Sequence, residues 1–326
     1  MRIIFAALAL VFAAPAVAQA PAAPASYSPP RTPEGRPDFQ GQWSNKWLTP
    51  LEKAGAFNSL VISPEQAKVV VASIRRMAKQ IGELANDPEA GDPDAHSLAV
   101  VRGEHRTRML VEPADGMLPY TPEALKKVVA FQAGFIQMMQ GKADGPEGRM
   151  IWERCLGGMG QAPLLYAWAI NGHRRIVQTQ DALVIHSEAG GDTRIIRIGG
   201  EALPDAMRSF VGDSVAHWDG DTLVVETTSF RADDMFRIFI TGRPIMVGPS
   251  SKVIERFARM GPDELNYQFT VEDPSIYAKP WLAEYSMMTS TEPMYEFACH
   301  EGNYGLTNIL QGQREIERRK AMKAPE

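Results

Sequence analysis

From about residue 173 onward the apolar period of the chain switches to two and stays there. The segments "RRIVQTQ", "ALVIHSE", "TRIIRI", "SVAHWD", "TLVVETTSF", "SKVIERFARM", "ELNYQFTVED", "LAEYSMMT" and "MYEFAC" are short and rich in branched and aromatic residues, and turn chemistry divides them. "ELNYQFTVE" alternates cleanly, with Leu265, Tyr267, Phe269 and Val271 on one face and Asn266, Gln268, Thr270 and Glu272 on the other. About nine successive strands without a long helical crossover argue for an antiparallel meander, which at that size curls into a barrel or splits into a sandwich. The expectation is a mainly β fold: an antiparallel β-barrel of lipocalin-like meander over residues 173–326, closed by a C-terminal helix at "LTNILQGQREIERRK".

Upstream, the punctuation is helical. "SPEQAKVVV" offers Ser63 as N-cap, Pro64 at the first helical position and Gln66 at the third, and "TPEALKKVV" repeats the device with Thr121 and Pro122. Residues 39–172 therefore read as a helical and irregular region packed on the barrel, and residues 19–38 as an extended arm rich in Ala, Pro and Ser. The first residues, "MRIIFAALALVFAAPAVAQA", read as a signal peptide cleaved after Ala18. Its apolar run is too short to span a bilayer, and no later run reaches that length, so a periplasmic or secreted protein without a transmembrane segment is expected. A net charge of −5 with scattered basic residues gives no signal for nucleic acid. The oligomeric state is not readable.

Cys155 and Cys299 are the two cysteines of the chain. In an oxidising compartment such a pair is most simply a disulfide, and closing so long a loop would stabilise the fold by up to about 5 kcal/mol. A free thiol and a metal-ligand role are the alternatives. The bridge would bring "ERCLGG" beside "ACHEGN".

Asp219-Gly220 is the sharpest turn, a hairpin signal. Taken as a two-residue loop, it sets Asp213 opposite Glu226, Val215 opposite Val224 and His217 opposite Thr222, all on one face, with Ser214, Ala216, Trp218, Leu223 and Val225 on the other. If the first face points inward, two opposed carboxylates repel, one keeps its proton, and the pair can act as acid and base. The alternative is that this face is the wet outside. At the corner, Glu301 would fix the tautomer of a His300 general base, or "CHEGNY" would only cap the terminal helix through Asn303. His173 in "NGHRRI" reads as surface. Arg106, Arg154 and Arg256 are candidates to clamp an oxygen-rich ligand, or to pair with glutamates such as Glu153 and Glu255. "GDSVA" lacks the second glycine and the helix that a nucleophile elbow needs, which leaves a Ser214 hydrolase as the weakest reading. No zinc, nucleotide or flavin motif is present, so no cofactor and no metal are expected.

Together, "TPEGRPDFQGQWSN", "VEPADGMLPYTPEA", "ERCLGG", "GDSVAHWDGDTLVVETTSF", "ERFARMGPDELNYQFTVEDP" and "YEFACHEGNYGLTNIL" resemble a large group of exported bacterial proteins, abundant in soil and aquatic bacteria that degrade complex organic matter. The similarity covers most of the mature chain. The resemblance singles out Cys155, Asp213, Trp218, Asp221, Glu226, Arg256, Glu272, Asp273, Cys299, His300, Glu301, Asn303 and Tyr304. It leaves residues 64–110 and "ADDMFRIFITGRPIMVGPS" as the individual stretches where specificity would reside.

The functional expectation is a periplasmic, cofactor-independent catabolic enzyme, a lyase, hydratase or isomerase, acting on a small oxygenated aromatic or terpenoid compound. His217, His300, Asp213, Glu226 and Glu301 would supply the acid–base chemistry, and Arg256, Arg106, Trp218, Asn303 and Tyr304 would bind substrate. The alternative is a non-catalytic ligand carrier using the same cavity.

Overall fold

The computed structural model describes residues 27–45, 49–54, 57–85, 98–157, 160–165, 172–204, 206–233, 235–237 and 243–323. The expected signal peptide and residues 19–26 of the arm lie outside them. In chain order the strands are β1 (Gly41–Ser44), β2 (Val61–Ile62), β3 (Val100–Val101), β4 (Glu104–Arg106), β5 (Leu110–Glu112), β6 (His173–Gln178), β7 (Ala182–Ser187), β8 (Thr193–Ile198), β9 (Asp213–Asp219), β10 (Thr222–Thr228), β11 (Phe236–Arg237), β12 (Ile245–Met246), β13 (Lys252–Arg259), β14 (Glu264–Glu272) and β15 (Trp281–Thr289). The helices are α1 (Pro64–Ala85), α2 (Pro122–Met139) and α3 (Tyr304–Lys323).

Nine strands close into a barrel in the order β1-β6-β7-β8-β9-β10-β13-β14-β15, with β15 pairing back to β1. A closed ring needs an even number of antiparallel joints, so nine strands cannot alternate throughout. The exception is β8–β9, which run parallel with Ile196 beside Ser214 and Ile198 beside Ala216. The mainly β barrel with helical additions is as the period-two pattern predicts, but the meander is interrupted at that joint. The ring also takes β1 from the segment expected to lie outside it.

Local chemistry explains why β1 joins. Phe39 and Trp43 are fully buried, and the Trp43 indole N–H donates to the Phe39 carbonyl (2.9 Å). Gln178 on β6 clamps the same stretch, accepting from Phe39 N (2.8 Å) and donating to Pro37 O (3.0 Å). Arg259 lies over the Trp43 ring at 5.3 Å and donates to Asp38 O (2.6 Å).

The inner face of β14 is the one the alternation names: Leu265, Tyr267, Phe269 and Val271 are fully buried. Tyr267 packs against Phe257 and Tyr285, each at 5.0 Å, and Phe269 meets Trp281 edge-on at 5.6 Å. Each such ring contributes about 1.5–3 kcal/mol by burial. Residues 160–165 are buried too and close the filled interior, with Leu164 bonded through both its N–H and its C=O to lumen tyrosines.

Outside the ring, β2, β4 and β3 form a small sheet, and β5 pairs with β15. The helix starts are as read. Ser63 and Gln66 exchange both capping-box bonds (3.2 and 3.0 Å), and Thr121 Oγ1 accepts from Ala124 N (3.2 Å).

Candidate ligand site

The β9–β10 hairpin turns one step later than Asp219-Gly220 predicts. Asp219 pairs with Thr222, so the loop residues are Gly220 and Asp221, and Gly220 takes φ 58°. A glycine at the first loop position is what a type II′ turn requires. Every pair therefore slides by two residues: Asp213 faces Thr228, and Glu226 faces Val215. Two is the strand period, so each side chain keeps its face. That face is the outer one. Leu223, Val225 and Ala216 are buried in the lumen, because those apolar groups gain most from leaving water.

The acid–base set is accordingly dispersed. Asp213 is buried under the loop after β8 and held by Arg197 (2.7 and 3.1 Å) and Leu203 N (2.7 Å). The Arg197 bonds hold its pKa below the ordinary 3.8. It is a structural anion, with no raised pKa to make it a proton donor. Glu226 is exposed and paired with Lys252 (2.7 Å). The His217 side chain is exposed and makes no hydrogen bond to another described residue. Trp218 packs on Phe39 (5.5 Å) beneath Arg36 (5.5 Å), which fixes the N-terminal arm to the barrel. Arg106 is buried against Glu104 (2.8 Å) and Glu284 (3.4 Å). Arg256 faces outward between Val224 and Gln268, buried, and its side chain makes no hydrogen bond to a described residue. His173 is buried on β6 rather than at the surface, 3.3 Å from Glu292.

The Cys155–Cys299 disulfide is formed, with Cα atoms 5.6 Å apart. Asn303 precedes α3 in the N-cap place, and its amide donates to Glu153 O (3.1 Å). His300, Glu301 and Tyr304 are exposed, and the His300 and Glu301 side chains do not bond to each other or to any described residue. The corner is a staple and a cap, so the tautomer-fixing role of Glu301 is not met.

The lumen does collect ionisable groups, but others. Arg194 on β8 makes a bidentate pair with Glu255 on β13, its Nη1 donating to Oε1 at 3.0 Å. Arg194 also donates to Ser214 Oγ (3.0 Å) and Thr227 Oγ1 (3.0 Å), which accounts for Ser214 as a structural acceptor and not a nucleophile. The Tyr267 hydroxyl donates to Glu255 (2.7 Å) and accepts from Leu164 N (2.8 Å). Burial alone would lower the Arg194 pKa, but the facing carboxylate outweighs it. Burial keeps the Tyr267 phenol protonated, with a pKa well above its usual range. Sealed by the 160–165 loop and fully bonded, this network specifies the barrel interior.

An accessible concavity lies elsewhere among the described residues, beside the disulfide corner. A cavity of about 290 Å³ opens between α2, the 147–154 turn and Asp233, Met235 and Phe236. Phe131, Phe135 and Met138 line it from α2, and Met235 and Phe236 from the opposite side. Phe131 and Phe236 stack at 4.0 Å with an interplanar angle of 10°, and Phe131 lies 6.2 Å from Phe135. Arg149, Arg154, Glu147 and Asp233 supply the charge. Arg149 is buried, donates to Met138 O (2.7 Å) and pairs with Glu153, whose other oxygen accepts from Met150 N (3.1 Å). Asp233 is claimed by Arg231 through two bonds of 2.8 Å.

Comparison with known proteins adds little. No family model matches the chain, and no curated protein matches it. Among solved structures, a point mutant of the fluorescent protein UnaG is similar at 16% identity, covering 43% of this chain and 88% of that one, with a TM-score of 0.25. At that score the likeness carries no argument, and the fold rests on the strand pairing alone.

Among the described residues, no group of three or more His, Cys, Asp or Glu is gathered to hold a metal ion, and no helix is long and apolar enough to cross a membrane. The pocket residues had a partial signal in sequence. Phe131, Phe135 and Met138 recur at helical spacing, a pattern that reads as core until the structure leaves the two rings half-buried. Asp233, Met235 and Phe236 belong to the stretch already singled out as individual. Arg149 carried no local mark that separates it from any surface arginine.

Proposed function

We propose that this chain is an exported small-molecule-binding protein whose ligand sits in the pocket between α2 and Asp233, Met235 and Phe236. The observation that carries this reading is the pocket wall: Phe131, Phe135, Phe236, Met150 and Met235 are held half-open beside a cross-linked corner, where a packed core would have closed them. Ligand sites are concave and mainly apolar, with a few polar groups. A volume of 290 Å³ is about twice the ~150 Å³ that houses benzene in an engineered cavity, so two fused rings are the natural size. Methionine walls adapt to irregular shapes. The disulfide and the expected signal peptide support export. Acid–base turnover has lost the residues that recommended it, since Asp213, Glu226, His217, His300 and Glu301 do not converge on this pocket or on the lumen.

A neutral solvatochromic probe, N-phenylnaphthylamine, tests this. Its fluorescence is expected to rise and saturate with the full chain, and Phe135→Ala is expected to weaken binding about tenfold, as loss of a buried ring contact requires. Ile195→Ala, on the exposed outer face of β8, should change nothing. Equal affinity in all three proteins, each shown to be folded by its circular dichroism, would remove the pocket from consideration.

A further inference from the structure

Four charged side chains line the pocket, and their partners separate them. Arg149 is neutralised by Glu153 and Asp233 by Arg231, as described above. Arg154 has no hydrogen bond and no ion pair from its guanidinium to any described residue, although it lies near enough to favour the charged form of Asp233. Glu147 is exposed and makes no ion pair either.

Arg154 is also placed on unusually fixed backbone. Its amide donates to Met150 O (3.2 Å). The preceding Glu153 is bonded to Arg149, and the following Cys155 is cross-linked to Cys299 and sits at φ 57°. The backbone that carries the guanidinium is thus already fixed, so binding has only the side chain left to order.

We propose that Arg154 is the anion anchor of this pocket, and that the ligand is a flat, mainly apolar molecule carrying one carboxylate or a comparable oxyanion. The apolar body would lie along the Phe131–Phe236 stack and the Met235 side chain. The carboxylate would take two parallel N–H···O bonds from Arg154, the geometry that distinguishes arginine from lysine. Glu147 opposes this charge from the exposed side and sets a ceiling on affinity. The inference rests on the pocket reading above.

The test uses two planar ligands of equal shape, naphthoate and naphthamide, titrated calorimetrically into the full chain with its disulfide intact. Naphthoate is expected to bind about tenfold tighter than naphthamide, the size of one charge-assisted pair at a half-exposed site. Arg154→Gln should abolish that preference, bringing naphthoate down to the affinity of naphthamide. Arg154→Lys should restore part of it, and Glu147→Gln should strengthen naphthoate alone. Equal binding of both ligands to the unaltered chain, or an equal loss of both in Arg154→Gln, would overturn the anchor and leave the pocket standing. Binding of neither ligand would overturn both.

Discussion

Glu255 and Arg256 are adjacent in the chain but lie on opposite sides of the sheet. Sequence proximity and opposite charge suggest partners for the arginines, yet Glu255 bonds to Arg194 and Glu153 to Arg149. Strand parity forbids the first of the nearer pairings, since successive side chains point apart. Breaking one member of a buried pair leaves an uncompensated charge, so Glu255→Gln should cost about 3–5 kcal/mol in urea unfolding. Replacing Arg194 and Glu255 together by leucine and methionine should cost clearly less than the two single changes combined. Asp213 gives a pH signature. Its pKa is depressed in the folded chain, so its contribution is present above the ordinary value of 3.8 and lost as pH falls through the folded value. Asp213→Asn should lower stability at neutral pH by about 1 kcal/mol, given the partly exposed Arg197. The gap to the unaltered chain should close below about pH 4. An unchanged gap down to pH 2 would contradict this.

At the scale of elements, features closed within a few residues are the most legible, and those that depend on distant surroundings are not: "MYEFAC", expected as a strand, forms none. Ser63-Pro64 and Thr121-Pro122 announce helices because capping satisfies orphan amides within a few residues. Thr121→Ala should accordingly cost α2 about 1 kcal/mol, seen as a lower thermal midpoint. The β9–β10 hairpin was legible as a hairpin, and its two faces were sorted correctly, but which face turned inward was not. Both faces mix apolar and polar groups, and only the neighbouring strands decide between them. The turn position was missed by one residue because Asp-Gly admits two frames. Gly220 has open space around a Cβ but a positive φ, so Gly220→Ala should cost about 1 kcal/mol through backbone strain alone. α3 is exposed along most of its length and is tied down chiefly at its first turn. Most helical stability in proteins comes from tertiary packing, and α3 has little of it. Reduction of the disulfide should therefore remove helical circular dichroism before the barrel unfolds, and the Cys155→Ser/Cys299→Ser chain should be less stable by up to about 5 kcal/mol.

For the whole molecule, closure was harder to foresee than curvature. The period-two run forecasts a rolled sheet, but nothing in "GQWS" marks it as the strand that seals the ring, because four residues carry too little pattern. Its pairing with β6 and β15 and the fully buried Trp43 supply what the pattern lacks. Trp43→Ala should cost about 3–5 kcal/mol and release the arm to proteolysis after Arg31, which should resist in the intact chain. The same seal fixes an order of events. The first strand of the ring can find one of its flanking neighbours only when Thr289 has emerged, after every other strand of the ring has begun. Such distant contacts make for slow folding. A nascent fragment that stops short of β15 can complete no ring, so whatever escorts it meets an open sheet until Thr289 has been made.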